Sequence, residues 1–268
     1  MEYISSSVDL DWWQLIVSVG AGLAIFLYGL LLLTDGLKRA AGSTMKRILG
    51  RMTSNRFKGA LAGAFITSVI QSSSVTTVLV AGFISAGLMG LTESVGVILG
   101  ANIGTTITAQ IVAFKVTKAA LVLIAIGGIG FVFSSVQKRK NIFLISLALG
   151  FIFFGMTLMS DGTAPLRTYA PFIDFMQWIE SPLLGILAGA LFTAIVQSSS
   201  ATTAIVIVLA TQGLVTLEGG IALAFGANVG TCVTAFLASL GKPVDAKRAA
   251  LVHVMFNVAG VLIWVGFY

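Results

Sequence analysis

Two polar blocks carry the chemistry of this sequence. Gln71-Ser72-Ser73-Ser74-Val75-Thr76-Thr77 and Gln197-Ser198-Ser199-Ser200-Ala201-Thr202-Thr203 each interrupt an apolar run. Five of the six residues after each Gln carry a hydroxyl, which can donate to an oxyanion or offer lone pairs to a cation. A second pair of blocks follows, Gly100-Ala101-Asn102-Ile103-Gly104-Thr105 and Gly226-Ala227-Asn228-Val229-Gly230-Thr231. Their paired glycines predict an unwound stretch with exposed carbonyls, and Asn102 and Asn228 add amide oxygens. Carbonyl, amide and hydroxyl oxygens suit small hard cations. The candidate anion ligands are Ser72, Ser73, Ser74, Ser198, Ser199 and Ser200. The candidate cation ligands and tip-orienting residues are Gln71, Gln197, Thr76, Thr202, Asn102, Thr105, Asn228 and Thr231. The bland alternative is that small and hydroxyl residues only let helices pack closely. That explains a lone Ser or Gly better than it explains polar heptapeptides that recur in register.

The recurrence is extensive. Leu61 to Gln110 aligns with Leu187 to Phe236 without a gap, and 22 of the 50 pairs are identical. The same offset of 126 residues carries Gly29, Asp35 and Gly36 onto Gly155, Asp161 and Gly162. The chain therefore divides into two homologous halves, 1–141 and 142–268.

The elements that must position these blocks follow from composition. Of 268 residues, 57% are hydrophobic and 10% charged, with a mean hydropathy of +1.02. A soluble domain carries about 25% charged residues to clothe its surface. Soluble enzymes, nucleic-acid binders and disulfide scaffolds are thereby disfavoured, and an all-α polytopic membrane protein is expected. A spanning helix needs about 20 apolar residues, and a β-barrel would show short alternating strands instead of continuous apolar runs. The net charge of +6 fits basic cytoplasmic loops better than a nucleic-acid partner. The single Cys232 excludes an internal disulfide. The acidic start (Glu2, Asp9, Asp11) lacks the basic region of a cleavable signal. No His-Glu-x-x-His, nucleotide loop or Gly-x-Ser-x-Gly is present, so no enzyme is expected and energy must come from an ion gradient.

In the first half, Leu15 to Leu33 reads as a spanning helix and Gly36 to Lys58 as a basic stretch on the membrane surface. Ala60 to Met89, broken at its polar centre, reads as a re-entrant helical hairpin over about 58–89, with a counterpart over about 182–213. Non-helical backbone at membrane depth is tolerated only when buried in protein or facing water. Val95 to Phe114 and Leu121 to Phe133 complete the half, the latter extended by Lys118-Ala119-Ala120. Three transmembrane helices per half make the two halves an inverted-topology repeat. Charge tests this. With the N-terminus outside, the cytoplasmic loops 34–58, 134–141 and 240–249 hold 13 of the 16 basic residues, as the positive-inside rule requires. Lys115, Lys118 and Arg167 remain outside, where Asp161, Asp174 and Glu180 also lie. Inverted hairpins converge near the bilayer midplane, where helix starts present free N–H groups and positive dipole ends to an anion.

No Lys or Arg sits within an apolar segment, so an anion must be held by dipoles and hydroxyls, with bound cations balancing its charge. Asp35, Asp161, Glu93 and Glu218 lie near segment ends, where loop or capping roles suit them. A metal cation is thus favoured over a proton as coupling ion. His253 is a lone intramembrane histidine, read first as a packing or hydrogen-bonding group and second as a functional one. Cys232 takes the place of Thr106 and reads as a small packing residue. Trp12, Trp13, Trp178 and Trp264 read as interfacial anchors.

The paired Gln-Ser-Ser-Ser motifs, each followed by Gly-Ala-Asn-Ile/Val-Gly-Thr, resemble those of the type II sodium-dependent phosphate cotransporters, as does His253-x-x-Phe256-Asn257. The resemblance implies sodium-coupled symport of inorganic phosphate, with phosphate and sodium bound where the two tips meet and no other cofactor. Carried over, it names Gln71 with Ser72, Ser73 and Ser74, and Gln197 with Ser198, Ser199 and Ser200. Many relatives carry a cytoplasmic regulatory domain, so a chain without one is either a minimal member or a truncated one. The open alternatives are a sodium-coupled carrier of sulfate or a carboxylate, a channel, and a non-transporting scaffold. A homodimer is expected by analogy with small transporters that move one bundle against a fixed partner.

Overall fold

The computed structural model describes residues 10–49, 55–114 and 117–267. Among these the secondary structure is entirely helical. The helices are α1 Trp12–Leu49, α2 Arg56–Ile70, α3 Ser73–Ser85, α4 Leu91–Ala113, α5 Ala120–Phe133 and α6 Gln137–Thr163. They continue as α7 Ala170–Ile179, α8 Pro182–Val196, α9 Ser199–Thr211, α10 Leu217–Gly230, α11 Cys232–Ser239 and α12 Val244–Val265.

Five segments are long and apolar enough to cross a membrane: Trp12–Gly42, Leu91–Ala113, Gln137–Thr168, Leu217–Ser239 and Val244–Val265. Six were expected. The shortfall is α5, whose 14 residues make about 21 Å of helix at 1.5 Å per residue; the hydrocarbon core is about 30 Å thick. Its expected N-terminal extension is a single 3-10 turn, Thr117–Ala119. The hairpin arms are shorter than a span as well, 15 residues in α2 and α8 and 13 in α3 and α9. Each bound of α8 and α9 lies 126 residues beyond the matching bound of α2 and α3. The run from α10 to α11 is placed likewise against α4.

Two sequence expectations are corrected. The basic stretch begins its own helical segment at Gly42 and not at Gly36: the run from Trp12 to Leu49 is two helices joined across a kink there (φ 9°, ψ −92°). Arg51 and Lys115, with the side chains of Lys46 and Arg47, lie outside the described residues. Nor is the Gly-Ala-Asn block of the first half unwound: α4 runs through it without a break. In the second half the only interruption among the described residues falls at the last residue of the block, Thr231, between α10 and α11.

The reason lies in packing. α2 lies along α4, α8 along α10, and α1 along α6. A Cβ on Gly63, Gly96 or Gly100 would run into the backbone of the opposing helix, as would one on Gly189 or Gly226. At the α1–α6 crossing a Cβ on Gly22 would come within 2.7 Å of the Gly155 carbonyl oxygen. Small residues four apart let helix backbones approach closely in a bilayer. The glycines therefore join helices, and the carbonyls of the first block stay in the helical ladder.

Two apolar clusters tie the chain together. In one, Phe26, Leu30 and Leu33 of α1 meet Ile152, Phe153 and Met156 of α6 beneath Ala204 and Val208 of α9. In the other, Ile66 of α2, Val80, Ala81 and Ile84 of α3, and Val97 and Ile98 of α4 enclose Ala246 and Ala249 of α12. Each cluster mixes helices from both sides of residue 141.

Candidate functional site

Each tip is built the same way. Gln71 ends α2 in the left-handed region (φ 59°, ψ 25°), and Gln197 ends α8 with φ 58°. They are the only non-glycine residues with positive φ among the described residues, and such a backbone costs a β-carbon residue about 1–2 kcal/mol. Side chains hold the turn in place. Gln71 donates from Nε2 to the Ser68 carbonyl, and its Oε1 accepts the Thr108 hydroxyl at 2.6 Å. Gln197 Oε1 accepts from Thr234 at 3.4 Å. Thr67 and Thr76 bond across the first hairpin at 2.8 Å, Thr193 and Thr202 across the second at 2.7 Å. Thr76 and Thr202 also donate to the carbonyls of Ser72 and Ser198, so each threonine bonds both the facing arm and the tip.

Ser72 and Ser198 cap the next helices, accepting from the N–H of Val75 at 3.3 Å and of Ala201 at 3.2 Å. The N–H groups of Ser73 and Ser74 in α3, and of Ser199 and Ser200 in α9, precede the first intrahelical bond and stay free. All four serines are buried.

A cavity of about 350 Å³ opens at the second tip. Ser199, Ser200 and Thr203 of α9 form one side; Asn102, Thr105, Thr106 and Thr108 of α4 face it. Asn228 of α10, with Phe256, Asn257 and Trp264 of α12, completes the wall. None of the described lining residues is charged.

Hydrogen-bond accounting separates the two sides. A threonine hydroxyl has one hydrogen. Thr105 spends it on the Ala101 carbonyl, Thr106 on that of Ile103 and Thr108 on Gln71. Asn102 turns its Nδ2 to the Ile98 carbonyl at 3.3 Å. The threonines of α4 therefore present only oxygen lone pairs, and Asn102 adds its Oδ1 beside one uncommitted Nδ2 hydrogen. On α9, the hydroxyls of Ser199, Ser200 and Thr203 donate to no described residue, and two free N–H groups accompany them. That side offers hydrogens. An anion suits it, and a cation suits its opposite.

The remaining sequence candidates lie close by. Ser74 donates to the Thr231 carbonyl at 3.4 Å, joining the first tip to the α10–α11 junction. Gln71 touches the cavity wall through Thr108. Ser72, Ser73, Gln197 and Thr231 are not among the residues that line it. His253 is fully buried on α12, and neither ring nitrogen has a partner among the described residues. Its carbonyl accepts from Asn257 Nδ2 at 2.9 Å and from Cys232 Sγ at 3.8 Å. The acidic candidates are peripheral: Asp35 pairs with Arg39 at 2.7 Å, and Glu93 and Glu218 sit in the first turns of α4 and α10, where the helix dipole favours negative charge.

The sequence profile of the Na+/Pi-cotransporter family matches residues 25–161 and 174–266, taking in both tips and the whole cavity wall. The chain belongs to this family. It is a family of transporters and not an enzyme class. The protein YqeW of Bacillus subtilis strain 168 is 33% identical over 248 residues, covering 92% of this chain and 80% of its own length. The Escherichia coli K12 protein printed as "Putative inorganic phosphate export protein YjbB" is 28% identical over 244 residues, 91% of this chain. The human sodium-dependent phosphate transport protein 2C is 45% identical over 85 residues, 30% of this chain. This chain spans less than half of either of the last two, 45% and 14% of their lengths. No solved structure matches it.

The sequence analysis passed over Thr67 with Thr193 and Thr108 with Thr234, and gave no ligand role to Thr203 or Asn257. The first two pairs are identical across the repeat, a signal available without the fold. Asn257 stands out in the sequence only within His253-x-x-Phe256-Asn257; the packing of α12 is what brings it to the cavity.

Proposed function

We propose that this Na+/Pi-cotransporter family member is a secondary active transporter coupling inorganic phosphate to sodium, with its site at the cavity between α9, α4 and α12. The observation that carries the reading is the division of one uncharged cavity into a hydrogen-donating wall and an acceptor wall. Phosphate oxygens take the N–H groups of Ser199 and Ser200 and the hydroxyls beside them, as anions do at helix starts. Sodium takes the oxygens of Asn102 and Thr105, with Asn228 at the rim. The cation offsets the anion's charge where no Lys or Arg is at hand. Ser72, Ser73 and Ser74 of the first tip, with Thr231 at the α10–α11 junction beside it, form the matching half of an inverted repeat and take their turn at the substrate when the cavity opens to the other face.

In this reading α2–α3 and α8–α9 are re-entrant hairpins entering from opposite sides of the cell membrane, the N-terminus is outside, and a homodimer in the lipid bilayer supplies a fixed frame. Sulfate and carboxylates can also accept hydrogen bonds, so the family match is what favours phosphate. An inward sodium gradient drives uptake. Export is a second reading, favoured by the YjbB name on a relative matched over 91% of this chain. The decisive measurement is radiolabelled phosphate flux in proteoliposomes with sodium gradients of either direction, or with potassium instead. Accumulation that follows the sodium gradient is expected, and flux indifferent to sodium would remove the coupling. Competition by sulfate and citrate at equal concentration tests the choice of anion.

A further inference from the structure

Asn257 was not chosen by any motif of small or hydroxyl residues, yet it reaches the cavity from a third helix. It is 7% exposed and stands one turn beyond His253 on α12. Its Nδ2 donates to the His253 carbonyl at 2.9 Å. The reverse orientation would set two carbonyl oxygens against each other, so the amide has one sensible direction. Its Oδ1 accepts from no described residue. It is not sealed off either, since the enclosed side-chain atoms lacking a partner among the described residues are both in His253. Because Asn257 lines the cavity, this oxygen opens into it.

A largely buried amide oxygen without a donor is costly to leave unmet. No described group meets the need: Thr105 and Thr108 have committed their hydrogens elsewhere, Cys232 Sγ turns to backbone carbonyls, and the free hydroxyls of Ser199, Ser200 and Thr203, on the far wall of the cavity, form no bond to it. Another oxyanion would make the excess of lone pairs worse. A hard cation is satisfied by such oxygens. We propose that Asn257 supplies a coordinating oxygen to the coupling-cation site, from α12, with Asn102 and Thr105 supplying others from α4. This deepens the sodium-coupled reading and rests on it. It also makes α12 part of the coupling machinery: a cation bound there bridges α12 and α4, which already pack together.

The test is phosphate uptake by proteoliposomes titrated with sodium at saturating phosphate, then with phosphate at saturating sodium. Asn257→Leu is expected to raise the half-saturating sodium concentration roughly tenfold or more and to leave half-saturating phosphate nearly unchanged. Asn257→Asp keeps an oxygen ligand and adds charge, so it should bind sodium at least as well as wild type. If Asn257→Leu does not fold, Asn257→Ala and the sodium-induced rise in melting temperature of purified protein read the same site; that rise should shrink in Asn257→Ala and persist in Asn257→Asp. Sodium dependence equal to wild type in the Leu or Ala variant would overturn the assignment, as would a shift confined to phosphate. Wild-type uptake without sodium dependence would instead overturn the functional reading beneath it, so the two failures are distinct.

Discussion

Ser200 and Thr105 both end in hydroxyl groups and both line the cavity, yet they offer it opposite things. Thr105 has given its hydrogen to the Ala101 carbonyl at 3.1 Å, while Ser200 sits at a helix start where no carbonyl one turn back competes for it. Ser200→Ala should therefore raise half-saturating phosphate by about tenfold, the worth of a hydrogen bond to a charged group, and leave the sodium titration nearly in place. A matching shift in sodium affinity would show that the wall does not discriminate. His253 poses a different question, since a fully buried imidazole whose two nitrogens find no partner among the described residues weakens the fold. Replacing it by an apolar group of similar size, His253→Leu, should raise stability by about 1 kcal/mol, read as a higher melting temperature in detergent, with transport retained. Lost transport in a folded His253→Leu protein would give the ring a role in the cycle. The hydroxyl blocks were legible in the sequence because their composition departs from the apolar runs around them. Which hydroxyls donate and which accept was not, because that depends on each residue's place within a helical turn.

At the scale of elements, the hairpins and the glycine-lined crossings work together. A tip is held in register by Gln71 against Thr108 of α4, and α4 is held against α2 by backbone contact at Gly63, Gly96 and Gly100. Widening that crossing pulls the anchor away from the tip. Gly100→Leu should destabilise the protein by more than the 1–3 kcal/mol typical of overpacking, because the Cβ itself meets backbone that cannot yield. Gly226→Leu should do the same in the second half, where the corresponding Cβ meets the backbone at Ile186 and Ala190. Gly20→Ala is the control: nothing lies within 4 Å of its Cβ, and Ala there should be neutral or stabilising by up to about 1 kcal/mol. Melting temperatures of the three purified variants give the comparison, and a Gly100→Leu protein as stable as Gly20→Ala would refute the close crossing. The break between α2 and α3 and that between α8 and α9 were legible in the sequence, because a polar block interrupts an apolar run sharply. It misread the first Gly-Ala-Asn block, which runs unbroken through α4, because glycine serves both helix breaking and close packing. Spacing decides between them: Gly96, Gly100 and Gly104 recur on one face, which a helix requires and an unwound loop does not.

For the whole molecule, the repeat raises the question of orientation, and five span-length helices do not answer it alone. If α2–α3 crossed as two full spans, each arm would have to bridge about 30 Å with 15 and 13 residues, about 22 and 20 Å of helix. A hairpin that enters and leaves on one face is the economical alternative. If α5 crosses as well, three crossings separate the two hairpins, and the start of α8 lies on the opposite face from the start of α2. The charges agree: Arg56 and Lys58 stand at the start of α2, whereas Asp174 and Glu180 precede α8, as expected of a cytoplasmic and an external surface. The test uses single cysteines at Lys58, in the first turn of α2, and at Ser181, immediately before α8; both residues are exposed. The native Cys232 is buried, so background labelling should be low. In intact cells a membrane-impermeant maleimide should modify Ser181→Cys and spare Lys58→Cys, which should react only once the membrane is opened. Labelling of both from one side would make the repeat parallel, and the second tip could not then present the same groups to the opposite face.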